Sequence, residues 1–252
     1  MIMDADPYLS LVIPIYNEEE VVPALLERVD KALATIGRPF EVIACDDGSS
    51  DQTPQLLAKG QQQYSWLRVL RFAKNGGQSA AFDAGFKAAR GQVVATIDGD
   101  LQNDPEEIPR LLKILEGENG SPSYDMITGW RQKRNDGGFR RFQTRIANRV
   151  RNWLSDETIQ DSASSLKLYK KHCLQGLQLY TGMHRFFPTL VKMRGYSVLE
   201  TPVKHSPRFA GTPKYGLRNR AIRAFVDLLA VRWMKKRTLR YDVTEISPPK
   251  AG

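Results

Sequence analysis

Four apolar, β-branched runs punctuate the first hundred residues: Leu9 to Ile15, Phe40 to Cys45, Leu67 to Phe72 and Val93 to Ile97. Continuous apolar runs of this length have the pattern of strands buried on both faces. Each gives way abruptly to polar and turn-forming residues. Tyr16-Asn17-Glu18-Glu19-Glu20 follows the first run and predicts a helix with acids in its first turn. After the second comes Asp46-Asp47-Gly48-Ser49-Ser50-Asp51, with Thr53-Pro54 opening a helix; after the third, Asn75-Gly76-Gly77-Gln78 and an alanine-rich helix to Arg90. The fourth breaks into Asp98-Gly99-Asp100-Leu101-Gln102 ahead of a helix from Pro105 to Glu116. Strand and helix alternating at short spacing predict an α/β fold, a mostly parallel central sheet with helices on both faces.

Beyond residue 124 the pattern changes. Tyr124–Gly129, Ser164–Tyr169 and Tyr196–Val203 read as further strands, Arg131–Gly138 as a loop and Phe139–Leu154 as a basic helix. Lys204–Gly216, with two prolines and two glycines and no periodicity, reads as a mobile loop. Leu217, Ala221, Ile222, Phe225, Leu228, Leu229 and Trp233 are expected on one face of a last helix, with Arg218, Arg220, Arg223, Lys235 and Lys236 mostly elsewhere around it. Such a helix either packs on the protein's own core or lies in a membrane interface, and the two are compatible. The chain is expected to form one domain over 1–216, with a first half to residue 130 and a second from 131, followed by the helix and tail of 217–252.

Composition adds one decisive feature. The net charge of +9 is unevenly spread: residues 1–130 carry 11 basic and 20 acidic side chains, residues 131–240 carry 25 basic and 6 acidic. A phosphorylated substrate, anionic lipid head groups or nucleic acid are the partners such a basic half can take. Cys45 and Cys173 are far apart and show no metal-binding spacing, which predicts a reducing compartment without a disulfide framework. No secretory signal pattern and no apolar run of about 20 residues is present. The expected location is cytoplasmic, peripheral at the inner face of the membrane.

If the sheet is parallel, three acidic strand ends converge: Tyr16-Asn17-Glu18, Asp46-Asp47 and Asp98-Gly99-Asp100. Ligands bind open α/β sheets at the carboxyl ends of the strands. Clustered carboxylates repel one another unless a cation or a hydroxyl-rich ligand joins them, so the cluster points to a hard divalent metal and a sugar. Gly76-Gly77 ahead of a helix lets backbone amides approach an anion. His172, His184 and His205 are scattered and read as structural or exposed, and no nucleophilic triad or phosphate-cradling glycine loop is present.

Val12-Ile13-Pro14-Ile15-Tyr16-Asn17-Glu18, Asp46-Asp47-Gly48-Ser49-Ser50-Asp51, Asn75-Gly76-Gly77 and Asp98-Gly99-Asp100-Leu101-Gln102 with Pro105-Glu106 occur in the order in which family 2 glycosyltransferases of the GT-A fold carry similar motifs. Over roughly residues 8 to 216 the chain resembles that family, and within it the dolichol-phosphate mannose synthase group, which transfers a sugar from a nucleotide to a polyprenyl phosphate. The resemblance implies that Pro14, Tyr16, Glu18, Asp46, Asp47, Gly76 and Asp98 hold the nucleotide of a GDP- or UDP-linked sugar. It implies that Asp98, Asp100 and Gln102 hold Mg2+ or Mn2+. Arg131, Arg140, Thr144, Lys167, Arg208 and Lys214 are implied to receive the acceptor phosphate, with Asp98, Asp100, Gln102 and Arg131 central to catalysis. Lys167 stands where relatives commonly have arginine, which removes a planar bidentate donor.

The chemistry suits these assignments. A lipid phosphate, with a second pKa near 6, is already an anionic nucleophile at neutral pH and needs cationic positioning rather than a strong base. Direct displacement, inverting at the sugar carbon, is the expected course. A polysaccharide or protein acceptor is the alternative within the family; Leu229-Ala230-Val231-Arg232-Trp233 matches the Gln-x-x-Arg-Trp motif of processive synthases only by coincidence, since it lacks the glutamine. A nucleic-acid-binding module, suggested by Trp130, Phe139 and Phe142 among arginines, is opposed by the acidic strand ends, and no nucleic acid is expected as partner. A membrane surface and a membrane-anchored partner complete the expected partners.

Overall fold

The computed structural model describes residues 6–131, 164–204 and 217–239, together with 159, 161, 206, 241, 243 and 244. Among these residues seven strands form one sheet in the order β3-β2-β1-β4-β6-β5-β7. They are β1 (Leu9–Ile15), β2 (Phe40–Asp46), β3 (Leu67–Arg71), β4 (Val93–Thr96), β5 (Met126–Arg131), β6 (Lys167–Lys170) and β7 (Val198–Val203). The β3-β2-β1-β4 block and the β5-β7 pair are parallel. Only β6 runs against its neighbours, pairing antiparallel with both β4 and β5. The sheet is thus mostly parallel, as the alternation of elements predicts, with one reversed strand joining its two halves.

Among the described residues six helices cover it: α1 (Val22–Ala34), α2 (Thr53–Gln63), α3 (Gln78–Ala88), α4 (Glu107–Glu116), α5 (Phe187–Met193) and α6 (Leu217–Arg237). Side-chain alternation along β1 sorts the two core layers. Leu9, Leu11, Ile13 and Ile15 meet Leu25, Val29 and Leu33 of α1, Leu57 of α2 and Ile108 and Leu111 of α4. Val12, on the other face, shares a layer with Phe82 of α3, Phe187 and Leu190 of α5 and Leu228 and Val231 of α6. Both faces of the central strands are covered, which explains their unbroken apolar character.

The chain after β1 departs from expectation. The residues from Tyr16 to Glu20 do not open a helix; α1 begins at Val22 with Pro23 in its first turn and no acid there. The reason is a competing set of bonds. Asn17 turns to φ 52°, and its side-chain oxygen accepts the Ser50 amide at 2.8 Å, while the Asn17 amide donates to Ser49 Oγ and the Glu18 amide to Thr53 Oγ1, each at 2.9 Å. Asparagine tolerates that backbone region because its short side chain bonds locally. The acids are left on a loop at the sheet's edge instead of a helix end.

α6 also differs. Leu228 and Val231 are buried, but Phe225, Leu229 and Trp233, expected on the same face, are exposed. The helix has two apolar faces, not one. The expected basic helix of 139–154, and nearly all of the loop of 204–216, lie outside the described residues.

Candidate active site

The ends of β1, β2 and β4 come together at one edge of the sheet, and the start of α3 binds two of them. Asp47, just past β2, accepts the Gly76 amide at 2.7 Å on one carboxylate oxygen and the Gly77 amide at 2.9 Å on the other. Asn75 Nδ2 adds a bond to the second oxygen at 3.0 Å. One residue further, Gln78 Nε2 donates to Asp98 Oδ1 at 2.7 Å. A single turn of chain therefore spaces the two acids. The anion that Gly76-Gly77 receives is the protein's own Asp47, so Gly76 shapes the site through its amide.

The bend after β4 is held against β1. A Cβ on Gly99 would stand 2.9 Å from the Pro14 carbonyl oxygen and 3.3 Å from Ile15 Cγ1, so only glycine lets the strand end approach the neighbouring backbone this closely. Leu101 takes φ 58°, which folds the chain back so that the Gln102 amide donates to Asp100 Oδ1 at 3.1 Å. Asn103 ties the bend from behind, its side-chain oxygen accepting both the Asp98 amide at 3.3 Å and Ser165 Oγ at 2.6 Å. The Gln102 carbonyl accepts the Ser206 amide at 3.0 Å, linking the bend to the chain entering 204–216.

Charge is concentrated here. Burial pushes the Asp98 carboxyl up from its ordinary value, and neighbouring Asp100 pushes it further, against the nearby Ser165 hydroxyl and the cations Lys167 and Arg131. Asp47 is likewise raised by burial and by Asp46, with the Gly76 and Gly77 amides opposing. Asp46 is fully buried; one oxygen accepts the Ser49 amide at 2.9 Å and the other lies 3.4 Å from Arg71 Nε. Asp100 is only 7% exposed. Pro14, Tyr16 and Glu18 lie at the end of β1 and are partly exposed beside these acids.

Arg131, the last residue of β5, meets Asp161 in a bidentate pair, Nε to Oδ2 at 2.6 Å and Nη2 to Oδ1 at 2.8 Å. The Asp161 amide donates in turn to Glu200 Oε1 at 2.9 Å. Lys167 opens β6 and is only 2% exposed. Burial pushes its amine down to about 8, opposed by the charges of Asp161 and Asp98. An ammonium so enclosed compensates the acids from within the sheet and presents no surface cation to a ligand. The remaining acceptor-side residues, Arg140, Thr144, Arg208 and Lys214, fall outside the described residues.

Gln78, Asn103 and Asp161 are the members of this network that the sequence did not single out as ligand-holding. Gln78 stands next to the Gly76-Gly77 pair, and Asp161 heads Asp161-Ser162-Ala163-Ser164-Ser165-Leu166-Lys167, whose last residue stands where relatives commonly have arginine, so the sequence holds a signal for both. Asn103 is recognisable only from the fold, since Ser165 reaches it from β6's approach. Among the described residues one other mixed group stands together: Asp125, His172 and Cys173 offer ligand-type atoms within 4.8 Å of one another. It lies at the opposite end of the strands, ahead of β5 and after β6, and its Asp125 is already bonded to His172 Nε2 at 3.0 Å and to the Ser197 amide at 2.8 Å.

Comparison with known proteins follows the same lines. The family model described as "Glycosyl transferase family 2" matches residues 10–178. The chain is 38% identical over 233 residues to the dodecaprenyl-phosphate galacturonate synthase of Rhizobium johnstonii, covering 90% of this chain and 67% of that one. It is 35% identical over 222 residues to an undecaprenyl-phosphate 4-deoxy-4-formamido-L-arabinose transferase of Klebsiella pneumoniae, covering 88% and 66%. The chain thus spans about two thirds of the length of these relatives. Among solved structures, glucosyl-3-phosphoglycerate synthase from Mycobacterium tuberculosis, in complex with Mn2+, UDP-glucose and phosphoglyceric acid, superposes with a TM-score of 0.68 at 18% identity, covering 90% of this chain and 80% of that one. A mannosyltransferase from Pyrobaculum calidifontis, in complex with GDP-mannose and Mn2+, gives 0.60 at 17%, covering 93% and 71%. These likenesses establish the GT-A fold.

Proposed function

The chain belongs to glycosyl transferase family 2, and from that premise we propose that it transfers a sugar from a nucleotide-sugar to a polyprenyl phosphate. The observation that carries the reading is the joint grip of α3's first turn on Asp47 and Asp98, which sets a nucleoside-side acid and a metal-side acid at a fixed spacing. The polyprenyl-phosphate acceptor is supported by the relatives' names and by the basic second half of the sequence.

Pro14, Tyr16, Glu18, Asp46 and Asp47 are proposed to enclose the nucleoside. Asp98, Asp100 and Gln102 are proposed to hold Mg2+ or Mn2+. Two carboxylates kept two residues apart, one of them raised in pKa by burial and further by the other, form a site that a divalent cation relieves, and their hard oxygens suit these ions. When bound, the ion supplies charge stabilisation for the leaving nucleoside diphosphate. Gln78 orients Asp98, and the Gln102 amide orients Asp100. Arg131, Arg140, Thr144, Arg208 and Lys214 are proposed to position the acceptor phosphate for in-line attack with inversion at the sugar carbon. Lys167, being buried, is proposed to act as the counter-charge beneath Asp98 and Asp161. The catalytic domain is proposed to occupy 1–216 and to work at the cytoplasmic face of a membrane.

The test offers purified protein a panel of GDP- and UDP-sugars with manganese or magnesium and a short polyprenyl phosphate. Nucleotide release that needs both lipid and metal is the expected result, and Asp100→Asn loses most of it. Undiminished turnover in chelator, or release indifferent to the lipid, defeats the reading.

A further inference from the structure

The end of the sheet away from the acidic rim holds a group of side chains with metal-ligand chemistry. Asp125 precedes β5, His172 and Cys173 belong to the 3₁₀ turn Lys171–Cys173 that follows β6, and Ser197 precedes β7. Because β6 runs against β4, its exit lies beside the start of β4. The carboxylate, imidazole and thiol bring one oxygen, one nitrogen and one sulfur within 4.8 Å of one another. Asp125 stands 47 residues from His172, so no short spacing in the sequence reveals the group.

The carboxylate is held in place from behind. Its Oδ2 accepts the Ser197 amide at 2.8 Å and Ser197 Oγ at 2.7 Å, which leaves Oδ1 turned to His172 Nε2 at 3.0 Å. Burial would raise the Asp125 pKa, but the bonds from Ser197 and His172 outweigh it and hold the carboxyl below its ordinary value. Its negative charge is therefore present at neutral pH. Cys173 Sγ lies 3.3 Å from the Asp125 carbonyl oxygen. Burial, and then the Asp125 charge, push that thiol up to about 12. A proton held on sulfur in this way is one that a dication displaces. The basic side chains nearby are engaged elsewhere: Arg194 donates to the Cys173 and Gln175 carbonyls, Lys170 to Ser123 Oγ and Lys171 to the Arg90 carbonyl. Cys173 is buried while the side chains of Asp125 and His172 are 25% and 47% exposed, so the group is reached from the imidazole side.

We propose that Asp125, His172 and Cys173 bind one Zn2+ ion through Oδ1, Nε2 and Sγ, with water in the fourth position. Ligands at about 2.0–2.3 Å in a tetrahedral zinc site stand about 3.3–3.6 Å from one another. Oδ1 and Nε2 are within a few tenths of an ångström of that separation, and the sulfur needs only a small side-chain movement to join them. Sulfur and imidazole nitrogen select zinc over the magnesium or manganese that an all-oxygen set suits. On binding, the imidazole carries its proton on Nδ1 and the thiol proton passes to solvent. Ser197 orients the carboxylate as hydrogen-bonded groups behind metal ligands do. The ion ties the entry of β5 to the exit of β6, and it is independent of the sugar-transfer reading.

The test is titration of the untagged, reduced protein with Co2+, followed by displacement with Zn2+. A near-ultraviolet thiolate-to-cobalt band is expected, which fills at one ion per chain and is removed by Zn2+. Oxygen ligands at the rim cannot produce that band, and it is expected to persist in Asp100→Asn. Cys173→Ser is expected to abolish it. His172→Ala and Ser197→Ala are expected to weaken binding by about tenfold or more. Should Cys173→Ser fail to fold, His172→Ala, altered at a half-exposed side chain, carries the test. No sulfur band in the unaltered protein, a band that survives in Cys173→Ser, or equal affinity in His172→Ala and the unaltered protein would overturn the inference.

Discussion

Arg131 and Asp161 show how a single pair can decide both stability and charge at this rim. Their side chains are only 17% and 11% exposed, and the two hydrogen bonds of the guanidinium fork satisfy both carboxylate oxygens. Burial alone would raise the Asp161 pKa, but the hydrogen bonds and charge of Arg131 outweigh it and hold the carboxyl below its ordinary value. Removing one member of a buried pair costs about 3–5 kcal/mol, because the other is left charged and unpaired. Arg131→Met should therefore lower the unfolding free energy obtained from urea melts by that amount, with a lower midpoint, and an unchanged value would show the pair to be solvated. The sign of the pH dependence follows from linkage. A depressed carboxylate contributes stability that is fully present above its unfolded pKa, near 3.9, and is lost as pH falls through the lower folded value. Acid unfolding followed by circular dichroism should show the contribution disappearing below about pH 4, and in Arg131→Met that part of the acid limb should vanish.

At the scale of elements, α3 is the part on which the site turns, since its start holds Asp47 and Asp98 while its body is packed on β1 and β2. A Cβ on Gly85 would come within 2.2 Å of Val12 Cγ1 and 3.2 Å of Cys45 Sγ. Gly85→Ala must push the helix outward, at about 1–3 kcal/mol for an overfilled core. The melting temperature should fall, and donor KM should rise several-fold, because the displacement reaches Gly76, Gly77 and Gln78. A lower melting temperature with unchanged donor KM would separate the packing of α3 from the rim. This helix also marks what the sequence could disclose. β1, β2 and β4 were legible because strands buried on both faces have little room for polar residues, and the break into Asp46-Asp47 or Asp98-Gly99-Asp100 is sharp. The end of β1 is not legible in this way, since acids after a strand resemble a helix start and only the fold shows Asn17 accepting the Ser50 amide from the neighbouring loop. Reversal of β6 was equally hidden, because alternation from Ser164 to Tyr169 is the same in either direction. The role of Lys167 shows the remaining limit: a lysine in a basic half reads as a surface cation, and only the sheet reveals Asp98 and Asp161 beside it.

Across the whole molecule, the two halves of the sequence divide the electrostatic labour. The first 130 residues carry 20 acids against 11 bases, and its acids at the strand ends are gathered by hydrogen bonds into a small rim; residues 131–240 carry 25 bases against 6 acids. Two different dependences on salt follow. The rim's acids are partly desolvated, as the raised pKa values of Asp47 and Asp98 show, and interactions made there are screened weakly. On the proposed function, an anionic acceptor collected by many arginines and lysines would be drawn from outside, over distances comparable to the Debye length of about 8 Å at physiological salt. Raising sodium chloride from about 0.05 M to about 0.5 M should therefore raise acceptor KM by roughly an order of magnitude while donor KM moves much less, since screening removes long-range attraction before it weakens enclosed contacts. Steady-state kinetics with each substrate varied in turn measures the two responses. A parallel rise in both would place the donor's phosphates under the same diffuse cationic field and remove the division between an acidic rim and a basic acceptor side.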